Sequence, residues 1–349
     1  MTETLDQRRR RVALLARQLL LERAELPIVE AVERLGGLQT QYAPAGYVGL
    51  WSRLANFDRP MLTRALERRE VIQGTLMRAT IHTVSAADYW PMAIAIRRSR
   101  REWFDRVWRS ALAGHDMSAA VRIVRRELRN GPRPARDLKS ALGEAGFPTR
   151  AFTFVGVWVD LVRVPPSGTW ERRRADLYAL AEDWLPVPAG IDESDGLDLL
   201  VRRYLGGFGP ARIADIAGWA GVGVATLAPA MRRSQLRRLR DEQGAELLDL
   251  PDASLPPAST EAPTRFLAHF DPSLLVHQRA TQILPEQYRQ RVYNVRAPQD
   301  VATFLVDGQV AGLWRYRDGR IEVEPFARLP ARGRRAVDEE AARLAAFHQ

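Results

Sequence analysis

Val12, Leu15 and Leu19 stand three and four residues apart, the spacing of one helix face. The stretch to Ala24 therefore predicts an amphipathic helix, opened by the capping-box pattern Thr4-x-x-Gln7. Ile28 to Leu35 predicts a second helix, stopped by Gly36-Gly37. Tyr47 to Leu54 predicts a third, and Asp58 caps a fourth through Leu66 with Pro60 in its first turn. Val71 to Leu76 and Thr80 to Val84 are short and β-branched, which predicts strands. Helices followed by a small hairpin give the order of a winged helix-turn-helix. Asp88 to Arg109 then predicts a longer helix carrying Trp90, Trp103 and Trp108.

The element order recurs. Ser118 opens a helix through Arg129, Pro134 to Ala145 a second, and Ala151 to Val159 a third. Val162 to Val164 and Trp170 to Leu180 flank Pro165-Pro166-Ser167-Gly168 as a wing, whose second arm opens with Arg172, Arg173 and Arg174. After Pro186 to Gly196, helices over Leu197 to Leu205 and Pro210 to Trp219 are expected on either side of Gly206-Gly207. A recognition-like helix from Val222 to Leu239 follows, and Leu236 to Arg240 with Glu246 to Leu250 form another wing. Pro251 to Pro263 is the clearest linker. Beyond it, Asp307-Gly308 marks a type I′ hairpin turn between Thr303 to Val306 and Val310 to Tyr316. Asp318-Gly319 continues the sheet, and Arg334 to Phe347 closes as a helix. The expected fold is α+β and mainly helical: winged-helix units at residues 1–115, 116–190 and 191–255, then a β-rich segment with a terminal helix at 264–349.

Composition narrows the function. No apolar run approaches the ~18 residues of a membrane span, and the N-terminus has no apolar segment behind its Arg8-Arg9-Arg10 run, so a cytoplasmic, nucleoid-associated protein without membrane contact is expected. Zero cysteines remove disulfides, thiolate nucleophiles and cysteine-ligated metals. The five histidines show no metal-ligand spacing, so neither metal nor cofactor is expected. A net charge of +10 points to an anionic partner. Residues 1–115 hold 19 cationic against 12 acidic side chains, so the basic surface is expected in the first half. Lys139 is the single lysine; every other cation is a guanidinium, suited to phosphate forks and base stacking.

Dinucleotide, Walker, zincin and nucleophile-elbow motifs are missing in usable context. What remains is Gln39-Thr40-Gln41, just past a helix end fixed by Gly36-Gly37. Each amide offers a donor and an acceptor, so the pair suits a water, a phosphate or a base edge, against a bland reading as caps between elements. Arg78, Thr80 and His82 share one face if their segment is a strand, with a buried hydrogen-bond network as the alternative. Arg203, Asp215 and Trp219 read as structural, Asp215 capping a helix or pairing with Arg203. Arg172, Arg173 and Arg174 are either phosphate contacts on a wing or solvated surface. His277 and Arg279 form an anion site or an ion-paired loop, and Arg315 on the last hairpin is equally open.

In combination, Leu35-Gly-Gly-Leu-Gln39-Thr-Gln41, Leu76-Met-Arg78-Ala-Thr80-Ile-His82, Arg203-Tyr-Leu-Gly-Gly-Phe-Gly-Pro210 with Asp215 and Trp219, and Val306-Asp-Gly-Gln-Val-Ala-Gly-Leu-Trp314-Arg315 appear in this order. The chain thereby resembles the winged-helix DNA glycosylase superfamily of AlkZ/AlkX (YcaQ) type from about residue 10 to 347. Its Gln-x-Gln form is similar to the AlkZ-like subtype; AlkX-like enzymes carry Asp as the second member. The resemblance implies three tandem winged helices in a C-shaped arrangement. It also implies a monofunctional glycosylase that excises bulky N7-alkylated purines, including interstrand crosslinks of alkylating natural products, as in producer self-resistance. Gln39 and Gln41 would then be catalytic; Arg78, His82, Arg172, Arg173, Arg174, His277, Arg279 and Arg315 would contact double-stranded DNA; and a monomer would act without a cofactor. The competing class is a non-catalytic winged-helix DNA-binding protein, a transcription regulator or a drug-sequestering resistance factor. A regulator is usually a symmetric dimer, whereas this chain carries several non-identical units.

Overall fold

The computed structural model describes residues 3–274, 283–294, 297–298 and 301–349. The chain opens with strand β1 (Thr4–Leu5) and helix α1 (Gln7–Arg17). Thr4 is therefore no cap. Leu5 is fully buried against β8 (Arg237–Asp241), and Asp6 accepts the Arg9 N–H at 2.6 Å instead. The helix ends at Arg17 rather than Ala24, because Leu19 turns left-handed at φ 55°. Then come α2 (Ile28–Arg34), β2 (Leu38–Gln39), α3 (Ala43–Trp51), α4 (Arg59–Glu67), β3 (Val71–Thr75), β4 (Ile81–Ser85) and α5 (Ala86–Val107). Asp58 caps α4 as the sequence predicts, accepting the Met61 N–H at 3.0 Å.

The next stretch contains α6 (Met117–Leu128), β5 (Arg133–Pro134), α7 (Ala135–Glu144), α8 (Ala151–Val155), β6 (Leu161–Arg163), β7 (Leu177–Leu180) and α9 (Ala181–Trp184). Arg172, Arg173 and Arg174 lie in the loop before β7 rather than in a strand arm. Helices α10 (Glu193–Phe208), α11 (Ile213–Ala220) and α12 (Val224–Arg233) lead to β8 and β9 (Glu246–Asp249). Gly206-Gly207 do not break α10. A Cβ on Gly207 would meet the Arg34 carbonyl at 3.0 Å, so this glycine lets α10 press onto the end of α2. Helix α12 ends at Arg233, before the chain extends into β8.

The last part contains β10 (Arg265–Leu267), α13 (Arg289–Val292), β11 (Tyr293–Asn294), β12 (Ala297–Pro298), β13 (Ala302–Val306), β14 (Gln309–Arg317), β15 (Arg320–Pro325) and α14 (Ala331–His348). Asp307 and Gly308 take φ values of 48° and 70°, as a type I′ turn requires. The chain is thus α+β, and among the described residues no single helix is long and apolar enough to cross a membrane.

One six-stranded sheet runs in the order β2-β4-β3-β6-β7-β5. The hairpin of residues 71–85 is therefore fused to that of residues 161–180 through Gln73↔Arg163 and Gly74↔Val162. A second sheet, β10-β13-β14-β15, packs with α14 against α2, α3 and α4 around Phe266, Phe304, Trp314 and Tyr47. The largest core links α5, α10 and α11 through Tyr89, Tyr204, Phe208 and Trp219. The fold buries a few of its arginines, each against an acidic or carbonyl partner or a ring. Arg53 and Asp271 are both 0% exposed and meet in a double hydrogen bond of 2.9 Å and 2.9 Å. Arg17 grips Asp249 at 2.6 Å and 2.8 Å, and Arg203 pairs with Asp88 at 2.7 Å and Glu33 at 2.8 Å. Asp215 accordingly does not pair with Arg203; it caps α11 by accepting the Arg212 N–H at 3.0 Å.

Replacing Arg53 by Leu strands a buried carboxylate and should cost about 3–5 kcal/mol in urea unfolding. Arg122→Ala, which removes an exposed pair with Asp116, should stay within about 0.5 kcal/mol. Equal losses in the two variants would contradict the burial argument.

Candidate active site

The Gln-x-Gln segment is placed by a turn that only glycine allows. Gly36 and Gly37 follow α2 at φ 70° and 87°, and a Cβ on Gly37 would stand 2.9 Å from Val84 Cγ1. The chain reverses into β2, where Gln39 sits opposite His82 on β4. The Thr40 N–H donates to the Ile81 carbonyl at 2.8 Å, and the Thr40 and Thr83 hydroxyls meet at 3.0 Å. Gln39 is buried and Gln41 exposed, one on each side of Thr40.

The partners of the two amides fix their orientation. Arg78 Nη2 donates to Gln39 Oε1 at 3.0 Å, and the Ile81 backbone N–H donates to Gln41 Oε1 at 2.7 Å. A guanidinium and a backbone N–H only donate, so the atoms they meet must be the amide oxygens. Both NH2 groups are therefore turned away from these anchors. Each oxygen keeps one lone pair.

Arg78 is held in turn by the Trp219 carbonyl at the end of α11, to which its Nη1 donates. It lies in the turn between β3 and β4, where Arg78 and Ala79 take φ values of 53° and 56°. The expectation that Arg78, Thr80 and His82 share a strand face is thus overturned, because the strand is interrupted at Met77–Ala79. Two successive non-glycine residues in the left-handed region cost on the order of 1–3 kcal/mol each and are held there by surrounding contacts. Burial lowers the Arg78 pKa to about 10, which still leaves a cation at neutral pH. His82 is buried beneath, with Nδ1 3.1 Å from the Thr80 carbonyl. A carbonyl only accepts, so Nδ1 carries the proton. Burial, reinforced by the Arg78 charge, pushes the His82 pKa down to about 3.

The loop carrying Arg172, Arg173 and Arg174 reaches the same place. Arg173 Nη1 meets the Tyr42 hydroxyl at 3.4 Å, and its guanidinium lies 5.3 Å from the Trp170 ring centre. Arg172 and Arg174 are exposed, each within 4 Å of Asp176, at 3.8 Å and 3.3 Å. Tyr42 also stands edge-on to His269, 5.4 Å between ring centres. His269 lines a cleft of about 460 Å³ with Trp314 and Arg315, and Arg315 lies 3.6 Å from Glu322 and 3.9 Å from Glu324. The structure thus gathers Gln39, Gln41, Arg78, His82 and Arg173, with Arg315 one neighbour further out. His277 and Arg279 lie outside the described residues. Sequence reasoning missed Tyr42 and His269. Tyr42 carried a signal, an aromatic directly after the second glutamine; His269 carried none. Among the described residues no group of three or more His, Asp or Glu side chains could hold a metal ion.

His82 gives the site a pH signature. Its pKa in the folded chain, about 3, lies below the ordinary 6.5, so the unfolded chain binds the extra proton in between. That part of the stability is present above 6.5 and is lost as pH falls towards 3. Urea midpoints measured from pH 7 to pH 4 should fall more steeply in the native protein than in His82→Asn. Parallel curves would mean that His82 titrates normally.

Residues 32–347 match the family model described as DNA glycosylase AlkZ-like. The chain is 24% identical to an interstrand DNA cross-link repair glycosylase of Streptomyces sahachiroi, over 94% of its own length and 93% of that relative's. The solved structure of the Streptomyces sahachiroi DNA glycosylase AlkZ has the same fold, with a TM-score of 0.80 at 20% identity over 99% of this chain and 97% of that one. With the family model spanning nearly the whole chain, including the Gln-x-Gln strand and its anchors, this protein belongs to the AlkZ-like DNA glycosylase family and is a DNA glycosylase.

Proposed function

We propose that this glycosylase hydrolyses the N-glycosidic bond of bulky N7-alkylated purines in double-stranded DNA, including purines joined in interstrand crosslinks. The observation that carries the reading is the anchoring of Gln39 and Gln41 through their oxygens, which leaves the NH2 group of each to donate to an oxygen ligand. Alkylation at N7 makes the purine cationic, so the glycosidic bond is weakened and the base departs neutral without a strong general acid. What the site must supply is a placed water and stabilisation of a cationic sugar. One NH2 group holds the water by one lone pair and leaves the other to attack the sugar carbon, the released proton passes to solvent, and the spare lone pair on each carbonyl faces positive charge. Glutamine does not titrate, and a histidine with a pKa of about 3 is too weak a base to take a proton from water at neutral pH.

In this reading Arg78 and His82 support Gln39 rather than touch DNA. Arg172, Arg173 and Arg174, with Arg315 beyond them, follow the phosphates. The fold serves as three winged-helix units acting as a monomer on one lesion, at residues 1–115, 116–190 and 191–255, with the β-rich segment at 264–349. Lys139, the single lysine, stands over the Phe152 ring, 5.7 Å from its centre, on the second unit. That position supports simple hydrolysis rather than Schiff-base chemistry.

On a duplex carrying one N7-alkylguanine, Gln39→Ala and Gln41→Ala should each slow release of the free base by about 10²–10³-fold while duplex binding persists. Full activity in both variants would remove the glutamines from the chemistry, and binding without release by the native protein would favour a non-catalytic DNA-binding role. Neutralising Arg172, Arg173 and Arg174 should flatten the plot of log affinity against log salt by about one unit per lost phosphate contact. An unchanged slope would return these residues to solvated surface.

A further inference from the structure

Arg78 has a second neighbourhood. Beside its contact with Gln39 it walls a cleft of about 480 Å³ between α5 and the turn joining α11 to α12. Trp103 and Arg106 stand on the α5 side, and Gly218, Gly221 and Val222 on the other. A Cβ on Gly221 would lie 3.0 Å from the Arg78 backbone nitrogen, so this wall rests directly on the Arg78 turn. A Cβ on Gly218 would meet nothing within 4 Å. The space above Gly218 is open, and its volume suits a compact organic group.

N7 of a purine and the nitrogen of its glycosidic bond share one five-membered ring. A substituent on N7 is separated from the glycosidic nitrogen by one ring carbon and points away from the sugar, so a site that reaches the sugar carbon must house the substituent across the width of that ring. The Arg78 cleft adjoins the Gln39 anchor, its walls include small residues and an indole, and Arg78 and Arg106 outweigh Glu102 around it, Arg100 being paired with Asp160 at 3.2 Å, as suits an approaching polyanion. We propose that this cleft receives the N7 substituent of the damaged purine, an aromatic or otherwise apolar group packed on Trp103, and that Gly218 and Trp103 set how bulky an adduct is accepted. The assignment rests on the reading of Gln39 and Gln41 as the hydrolytic pair.

The test compares release of N7-benzylguanine and N7-methylguanine from otherwise identical duplexes. Gly218→Phe fills the cleft from a position where added atoms meet nothing, and it should lower the benzyl-to-methyl ratio of kcat/KM at least about tenfold. Trp103→Ala should lower the same ratio and Trp103→Phe should restore it. An unchanged ratio in Gly218→Phe, or an equal fall on both substrates, overturns the inference. Affinity for the two duplexes separates the claims. A native protein that binds both and releases neither refutes the hydrolytic role of the glutamines, whereas a benzyl preference in binding that Gly218→Phe abolishes still assigns the cleft.

Discussion

A guanidinium and a carboxylate buried without any exposure to water, Arg53 against Asp271, tie the end of α3 to the loop after β10. Desolvating two charges costs several kcal/mol per ion, and only good geometry with every donor and acceptor engaged offsets it. Here both lobes of the carboxylate are used, Gly49 accepts a further bond from Arg53, and Ser273 donates to Asp271, so that only the Arg53 Nε–H of the pair is left without a partner among the described residues. The same device joins α1 to β9 through Arg17 and Asp249, and a half-buried pair, Asp88 with Arg203, joins α5 to α10. Such pairs tolerate little displacement, because a shift of either partner leaves a charge stranded in a dry interior. They fix how sequence-distant elements meet, and the position of the Gln-x-Gln strand depends on that fit.

An arginine-dominated cation set takes a different meaning in this light. In the sequence it reads as a surface for phosphate. In the fold, several guanidiniums close internal joints instead, and the one of the exposed loop before β7 that reaches the glutamine segment is Arg173, through Tyr42, with Arg172 and Arg174 beside it in the chain. The catalytic reading depends on both populations. Gln39 is oriented by Arg78, Arg78 by a carbonyl 141 residues further on, and that carbonyl by the packing of Trp219 against Tyr204 and Phe208. The site is local in appearance and global in construction.

What the sequence showed followed from local rules. The Gly36-Gly37 stop, the Asp58 cap and the Asp307-Gly308 turn are decided by a few neighbouring residues and appear where those rules put them, whereas several helices keep their place in the order but not their expected ends. The failures share a cause. Gly206-Gly207 reads as a break until α2 is seen pressing on it, and Thr4 reads as a cap until β8 claims it as a strand. Arg78 reads as a strand residue until Gln39 and Trp219 hold it in a left-handed turn. In each case a contact from far along the chain overrides the local preference. The glutamines themselves were legible as a pair. The direction their amides face was not, because the donors that settle it are a backbone N–H and a side chain in another element.

The fused sheet has a mechanical corollary. A ladder of backbone hydrogen bonds between β3 and β6 neither stretches nor hinges easily, so the first and second hairpins behave as the two jaws of a fixed caliper. The spacing of the strands from which the glutamines and the arginine loop are carried is set when the chain folds. On the proposed reading, a duplex carrying a large adduct has to present a matching contour, and much of the work of fitting falls on the nucleic acid. Under that proposal, damage is gauged by how readily the DNA yields, with the protein serving as the rigid standard.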